Sequence, residues 1–155
     1  MHKLGNANIE NRKQRLHDGS EDGVDPAQLR ILLAEDDAEA RSLLPYALRK
    51  DGHHVIEVQS GSELLDHLGL SRVASGLFDP PDLVITDVRM PGFSGMDVLM
   101  GLTLADWSVP VIIITGFGDD ELHKRAHALG ALAVFDKPFD VDDLRTFVTN
   151  VMKID

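Results

Sequence analysis

The chain has 155 residues, of which 43% are hydrophobic, and this suits one globular domain with about thirty residues to spare. The sequence contains no cysteine, which excludes disulfides, thiolate catalysis and zinc sites with cysteine ligands. Residues 1–30 are neutral, so the net charge of −11 falls on residues 31–155, and such an acidic domain disfavours direct nucleic-acid binding.

Residues 1–28 are rich in Asn, Gly, Asp and charged side chains and hold few large apolar ones. Such a composition buries too little surface to offset the entropy of ordering, so we predict a flexible arm there and a single domain over residues 29–155. A partner-binding or dimerisation arm is the alternative. Residues 1–16 lack the apolar core of a signal peptide, and no run could cross a bilayer, so we expect a cytoplasmic protein without a membrane partner.

Hydrophobic periodicity predicts five strands and five helices in strict alternation along the rest of the chain. The predicted strands are Ile31–Ala34, His54–Val58, Leu83–Asp87, Val109–Thr115 and Leu132–Phe135. The predicted helices are Ala38–Lys50, which contains Pro45, then Ser60–Leu70, Ser94–Leu104, Asp119–Leu129 and a last helix capped by Asp140. This alternation favours an α/β fold, a doubly wound parallel sheet with helices on both faces.

Polar side chains stand at the carboxyl ends of four of the predicted strands. Asp87 closes an otherwise apolar strand, and the other three ends carry Glu35 with Asp36, Thr115, and Lys137. Because the carboxyl ends of parallel strands meet at one edge of the sheet, we expect these side chains to converge. A carboxylate pair such as Glu35-Asp36 is by itself more often a solvated turn, so the prediction depends on the conjunction.

This combination of side chains suits phosphoryl transfer. Clustered carboxylates repel one another unless a cation neutralises them, and hard oxygen ligands without histidine or cysteine favour Mg²⁺. Lys137 offers a positive charge and Thr115 a hydroxyl to the oxygens of a phosphoryl group. Asp87 beside them is then an activated nucleophile that would form an acyl phosphate.

Two histidines, His123 and His127, lie one helical turn apart on the predicted fourth helix. Lys124 follows the first histidine, where a zinc protease has a glutamate. We therefore predict a solvated helix face at these two positions rather than a metal site.

Over residues 30–152 the chain resembles a response-regulator receiver domain, the phosphorylation switch of two-component signalling. The motifs that carry the resemblance are Ile31-Leu32-Leu33-Ala34-Glu35-Asp36, Asp87-Val88-Arg89-Met90-Pro91-Gly92 with Gly95, Ile114-Thr115-Gly116 and Lys137-Pro138-Phe139. The resemblance implies a flavodoxin-like sheet of five parallel strands in the order 2-1-3-4-5, with five helices.

The resemblance also implies a metal site around the phosphoacceptor. Asp87 would accept the phosphoryl group and would be a Mg²⁺ ligand as well. Asp36 would bind the metal directly and Glu35 through water. The backbone carbonyl of Arg89 would complete the protein ligands.

Three further residues would bind the phosphoryl group and begin the response, namely Thr115, Gly116 and Lys137. The Lys137–Pro138 peptide would be cis, as a fixed structural feature. In this family an aromatic residue usually stands three places before the lysine, but this chain has Val134 there and Phe135 next to it. Because side chains alternate along a strand, we predict that these two switch-position residues point to opposite faces.

We expect a phosphorylation-dependent switch that takes its phosphoryl group from a sensor histidine kinase, a phosphotransfer protein or a small phosphodonor. The modification would change the binding of a downstream effector protein or domain through residues 115–153, and residues 119–153 are a candidate homodimer face. We expect no enzymatic activity beyond self-phosphorylation and autodephosphorylation. The alternatives are the receiver half of a longer regulator, such as a transcription factor, and a Mg²⁺-dependent phosphohydrolase.

Overall fold

The computed structural model describes residues 28–35, 38–73, 80–116 and 118–152. The predicted arm over residues 1–28 lies outside these ranges apart from Gln28, and so does the predicted metal ligand Asp36. In the described part of the chain, none of the helices combines the length and apolar character needed to cross a bilayer.

The described residues form one five-stranded sheet with five helices, and every strand pairing in the sheet is parallel. The strands are β1 (Arg30–Ala34), β2 (His54–Val58), β3 (Leu83–Asp87), β4 (Val111–Thr115) and β5 (Ala133–Asp136). The helices are α1 (Ala38–Lys50), α2 (Gly61–Val73), α3 (Gly95–Leu104), α4 (Asp120–Ala128) and α5 (Val141–Val151). The strand order β2-β1-β3-β4-β5 confirms the predicted fold and topology.

The observed bounds differ from the predicted ones by a few residues, for local reasons. Ser60 is outside α2, because its hydroxyl caps the helix by accepting a hydrogen bond from the Glu63 N–H at 3.1 Å. Strand β5 includes Asp136, because the ladder with β4 continues to the pair Thr115 and Asp136. Strand β4 starts after Pro110, which has no N–H to give to a ladder.

Two apolar layers enclose the sheet. One layer packs α2, α3 and α4 against one face, and the other packs α1 and α5 against the opposite face. All residues of β3 and β4 are buried, as expected for central strands covered on both sides. The sheet is therefore a rigid base, and the residues that follow its strands are fixed in position by it.

The strand register brings the predicted site residues level with one another. Asp82 fastens β3 to β1, since its carboxylate accepts from the Arg30 N–H at 2.8 Å and its own N–H donates to the Arg30 carbonyl. The β1–β3 ladder runs to the pair Ala34 and Thr86, so the next residues, Glu35 and Asp87, end their strands side by side.

Candidate functional site

Asp87 is the last residue of β3, and it is only 5% exposed. Strand β3 is buried on both faces, so close packing restricts the motion of the backbone that carries the Asp87 carboxylate. One oxygen, Oδ1, accepts a hydrogen bond of 3.1 Å from the N–H of Arg89, in the loop that follows. The Arg89 side chain itself is exposed, and its backbone lies beside the carboxylate.

Lys137 joins the ends of three strands. Its ammonium Nζ lies 2.5 Å from Oδ2 of Asp87 and 3.1 Å from Oε1 of Glu35, which is buried. Burial acts to lower the pKa of Lys137, but the hydrogen bonds and charges of Asp87 and Glu35 outweigh it, so the pKa is raised above 10.5. Lys137 is therefore a cation at physiological pH, held between two acids as the sequence predicts.

Thr115 ends β4 next to this ion pair. It is 2% exposed, and its carbonyl accepts a hydrogen bond of 2.7 Å from the Lys137 N–H. Gly116 follows, and a Cβ built on it would lie 4.0 Å from Cδ of Lys137, so the loop runs along the lysine stem. The Lys137–Pro138 peptide is cis, as the resemblance implies.

Helix α3 begins directly behind the phosphoacceptor candidate. A Cβ built on Gly95 would lie 2.5 Å from the Asp87 carbonyl oxygen, so only glycine allows this approach. Ser94 caps the helix in a reciprocal arrangement with Asp97, in which each side chain accepts from the other residue's N–H. Gly95, part of a predicted motif, thus sets the distance between α3 and the end of β3.

Val134 and Phe135 point to opposite faces of the sheet, as predicted. Val134 packs against the layer that contains α2, α3 and α4, whereas Phe135 packs against the layer of α1 and α5. Phe135 makes edge-to-face contacts with Phe139 and Phe147, at ring-centroid distances of 6.0 and 5.6 Å. The aromatic ring is thus partly buried against the core on the side of the sheet away from α4.

One contact near the site was not predicted from the sequence. His123, in α4, places Nε2 3.0 Å from both carboxylate oxygens of Asp136, the last residue of β5. His127 is exposed as predicted, and the side chain of His123 is 33% exposed, so the contact with Asp136 forms on a face that is still partly solvated. Residues so far apart in sequence give no local signal, because the contact depends on how α4 packs.

In the described ranges, no group of three or more histidine or acidic side chains is arranged to hold a metal ion. Asp36, the residue predicted to bind Mg²⁺ directly, lies outside those ranges. The described oxygens nevertheless fit such an ion, because Glu35 and Asp87 already direct their carboxylates at the same cation, the Lys137 ammonium. Oxygen donors of this kind are the ligands that Mg²⁺ prefers.

Comparison with known proteins matches residues 31–149 to the model of the response regulator receiver domain. Sporulation initiation phosphotransferase F of Bacillus subtilis is 31% identical over 125 residues, which cover 81% of this chain and 94% of that protein. Transcriptional regulatory protein PdtaR of Mycobacterium tuberculosis is 34% identical over 116 residues, which cover 74% of this chain and 52% of that protein.

A solved structure of a response regulator receiver domain protein from Clostridium thermocellum is similar to this one, with a TM-score of 0.66 and 30% identity. The match covers 79% of this chain and 92% of that chain.

Proposed function

We propose that Asp87 is the phosphoacceptor of this chain, which belongs to the response regulator receiver domain family of phosphorylation-dependent signalling switches. The observation that carries the proposal is the placement of the Lys137 ammonium, 2.5 Å from Asp87 and 3.1 Å from Glu35. A buried carboxylate next to a fixed cation is a nucleophile with a counter-charge ready for the oxygens of an incoming phosphoryl group.

In the reaction, Asp87 Oδ2 or Oδ1 attacks the phosphorus of a phosphohistidine or a small acyl phosphate. The new O–P bond forms as the bond from phosphorus to the donor nitrogen or oxygen breaks, and the donor leaves with the electron pair of that bond. Lys137 stabilises the negative charge on the phosphoryl oxygens, and the Thr115 hydroxyl donates to another of them. The Arg89 N–H, at 3.1 Å from Oδ1, keeps the Asp87 carboxylate oriented.

Mg²⁺ would be held by Asp36, Asp87 and the Arg89 carbonyl, with Glu35 acting through water. Bound there, the ion supplies Lewis-acid stabilisation of charge on the transferred phosphoryl group. The chain's own acids need a cation for a physical reason, since close carboxylates repel one another when they are not neutralised. Lys137 alone supplies one positive charge against at least two negative ones.

The donor that we propose is a sensor histidine kinase or a phosphotransfer protein, acting in the cytoplasm. A downstream effector protein or domain reads the change through residues 115–153, and a homodimer through residues 119–153 is a further arrangement. The chain spans 94% of the length of one curated relative and 52% of another, so such an effector could be a separate protein or part of a longer chain. We propose no turnover of external substrates, only self-phosphorylation and autodephosphorylation.

The test is incubation with acetyl phosphate and Mg²⁺, followed by intact mass and peptide mapping. We expect one phosphoryl group per chain on Asp87, formed only with Mg²⁺, and none on Asp87→Asn. The matched control is Asp66→Asn, which alters an exposed aspartate on α2 and should be phosphorylated like wild type. Modification of Asp87→Asn to the wild-type extent, or turnover of external phosphate esters, would contradict the proposal.

A second variant separates acceptance from response. Lys137→Ala should still accept a phosphoryl group, because Asp87 and the metal ligands remain, but the link between the site and the β4–α4 loop should be lost. The measurement is amide exchange in α4 with and without Mg²⁺ and beryllofluoride, a phosphoryl mimic. A wild-type response in Lys137→Ala would remove Lys137 from the signalling role.

A further inference from the structure

Helix α4 is held to the domain by little apolar packing. Of its nine residues, all of which the structure describes, Ala126 alone is buried. The helix sequence DELHKRAHA is mostly polar, with four charged residues and two histidines among nine, so burial of apolar area contributes little to its attachment. Helices with few buried apolar contacts open at lower free energy than the core, and the polar contacts of such a helix decide where it rests.

The His123–Asp136 contact is the described polar contact between α4 and the sheet edge next to the site. The imidazole Nε2–H donates to the Asp136 carboxylate, with both oxygens 3.0 Å away. The side chains are 33% and 50% exposed, so water competes with the contact without replacing it. A second polar contact holds the far end of the helix, where the Thr103 hydroxyl lies 3.1 Å from the Leu129 carbonyl.

Asp136 is also joined to the site. It precedes Lys137 in the chain and pairs with Thr115 in the β4–β5 ladder. A Cβ built on Gly118 would lie 1.9 Å from Oδ1 of Asp136 and 2.8 Å from Cγ2 of Thr115. Gly118 has no positive φ, so its missing side chain, rather than its backbone torsion, leaves room for the carboxylate to reach His123.

We propose that Asp136 and His123 are positioning residues that couple the phosphorylation site to α4. Their contact fixes α4 against β5 before phosphorylation, and it loosens when Thr115 and Lys137 turn toward the phosphoryl group. The physical route is short. Thr115 and Asp136 pair in the β4–β5 ladder, Gly118 lies against both of their side chains, and Lys137 follows Asp136 in the chain. The inference rests on the proposed function, because it takes Asp87 as the phosphoacceptor.

The contact supplies the coupling that an aromatic residue at position 134 cannot give in this chain. Val134 packs into the apolar layer, and Phe135 lies on the opposite face with Phe139 and Phe147. A contact that is made in one state and released in the other is a two-state element that a local charge can bias. The switch signal then reaches α4 through a polar contact at its first turns.

The first arm of the test uses the unmodified protein. A double-mutant cycle of His123→Ala and Asp136→Ala is followed by amide exchange of residues 120–128. Each single variant should exchange there roughly 1.5- to 5-fold faster, the range for an exposed ion pair, and the double variant no faster than either single one. His123→Gln should restore part of the protection, since its amide can donate to Asp136. His127→Ala, an exposed histidine on the same helix, is the control and should exchange like wild type.

The second arm adds Mg²⁺ and beryllofluoride. In the wild-type protein, the amide hydrogens of α4 should exchange faster when beryllofluoride is bound. In Asp136→Ala they should already exchange at the faster rate without beryllofluoride, and adding it should increase that rate little. Phosphorylation of Asp87 by acetyl phosphate should reach the same extent in both proteins. This inference alone is overturned if the effects of His123→Ala and Asp136→Ala on the exchange rate add up in the double variant. It is also overturned if beryllofluoride increases the exchange rate as much in Asp136→Ala as in wild type. Failure of the wild-type protein to form an Asp87 adduct overturns the proposed function and the transmission with it.

Discussion

Helices α3 and α4 differ in how they are attached, although each follows a strand that ends in the site. Helix α3 follows Asp87 and buries five of its ten residues, including Val98 and Leu99. Helix α4 follows Thr115 and buries Ala126 alone among its nine described residues. The strand that ends in Asp87, the proposed phosphoacceptor, therefore leads into a helix with a large buried face, and the strand that ends in Thr115 leads into a helix with little buried apolar surface.

The difference originates in sequence composition. The α3 sequence GMDVLMGLTL is almost entirely apolar, whereas the α4 sequence DELHKRAHA carries acids in its first turn and bases in its last. Charges so placed stabilise a helix by interacting with its dipole, but they do not attach it to a core. In α4, therefore, the charges at the two ends stabilise the helix itself, whereas little buried apolar surface attaches it to the domain. The helix can then shift without unfolding.

The largest expected effect comes from removing core packing under α3. Leu99→Ala should reduce the free energy of unfolding by about 2–5 kcal/mol, because Leu99 is 3% exposed and its loss leaves a cavity. Leu122→Ala in α4, where the side chain is only partly buried, should reduce the free energy of unfolding clearly less than Leu99→Ala does. Urea unfolding measures both. Met100→Ala, at an exposed position of α3, is the control, and equal costs at Leu99 and Leu122 would contradict the comparison.

A smaller effect is expected from adding a methyl group just before or at the start of each helix. Gly95→Ala should destabilise the domain by about 1–3 kcal/mol and slow phosphorylation, because the new Cβ meets the backbone carbonyl of Asp87, which cannot move freely. Gly118→Ala meets the Asp136 carboxylate, which can rotate, and should mainly speed amide exchange in α4. Urea unfolding, acetyl phosphate kinetics and amide exchange measure these effects. The reverse order of stabilities would show that α4 is the fixed helix.

The helix caps give a closer comparison, since the same kind of hydrogen bond is removed from each helix. Ser94 caps α3 by accepting from the Asp97 N–H at 3.1 Å, and Asp119 caps α4 by accepting from the Leu122 N–H at 2.8 Å. Each substitution by alanine should cost about 1 kcal/mol locally. For Ser94→Ala the loss should appear in global unfolding, whereas for Asp119→Ala it should appear mainly as faster exchange within α4. If both alanine variants lose about 1 kcal/mol in the free energy of global unfolding, the weak attachment of α4 is contradicted.

The elements that the sequence predicted well are those set by local pattern. The apolar runs of β3 and β4 predicted buried strands of a parallel sheet, and the rule that parallel strands end at one edge predicted that Glu35, Asp87 and Lys137 lie close together. The His123–Asp136 contact could not be predicted, because it depends on the rotation of α4 and on the space at Gly118. Likewise α2 continues past its predicted end at Leu70 to Val73, where the sequence pattern gives no periodic signal.

The smallest expected effect tests whether polar contacts matter less where apolar packing already joins two helices. Asp51, just after α1, accepts hydrogen bonds from Arg145 of α5 at 2.5 and 2.9 Å, while Leu48 and Leu144 of the same helices are buried together. The hydrogen bond from Arg145 lowers the pKa of Asp51 below its ordinary value of 3.8, and it outweighs the opposing effect of burial.

Since the pKa of Asp51 is lowered in the folded state, its contribution to stability is present above pH 3.8 and is lost as the pH falls through the folded value. Asp51→Asn should therefore be less stable than wild type by about 0.2–1 kcal/mol at pH 7, and the difference should shrink as the pH falls below 3.8. Urea unfolding at a series of pH values measures it, with Asp66→Asn as the exposed control. If the stability difference between Asp51→Asn and wild type does not change with pH, the Asp51 charge plays no part. If Asp51→Asn loses more free energy of unfolding than Leu99→Ala, then α1 and α5, like α4, are joined mainly by polar contacts.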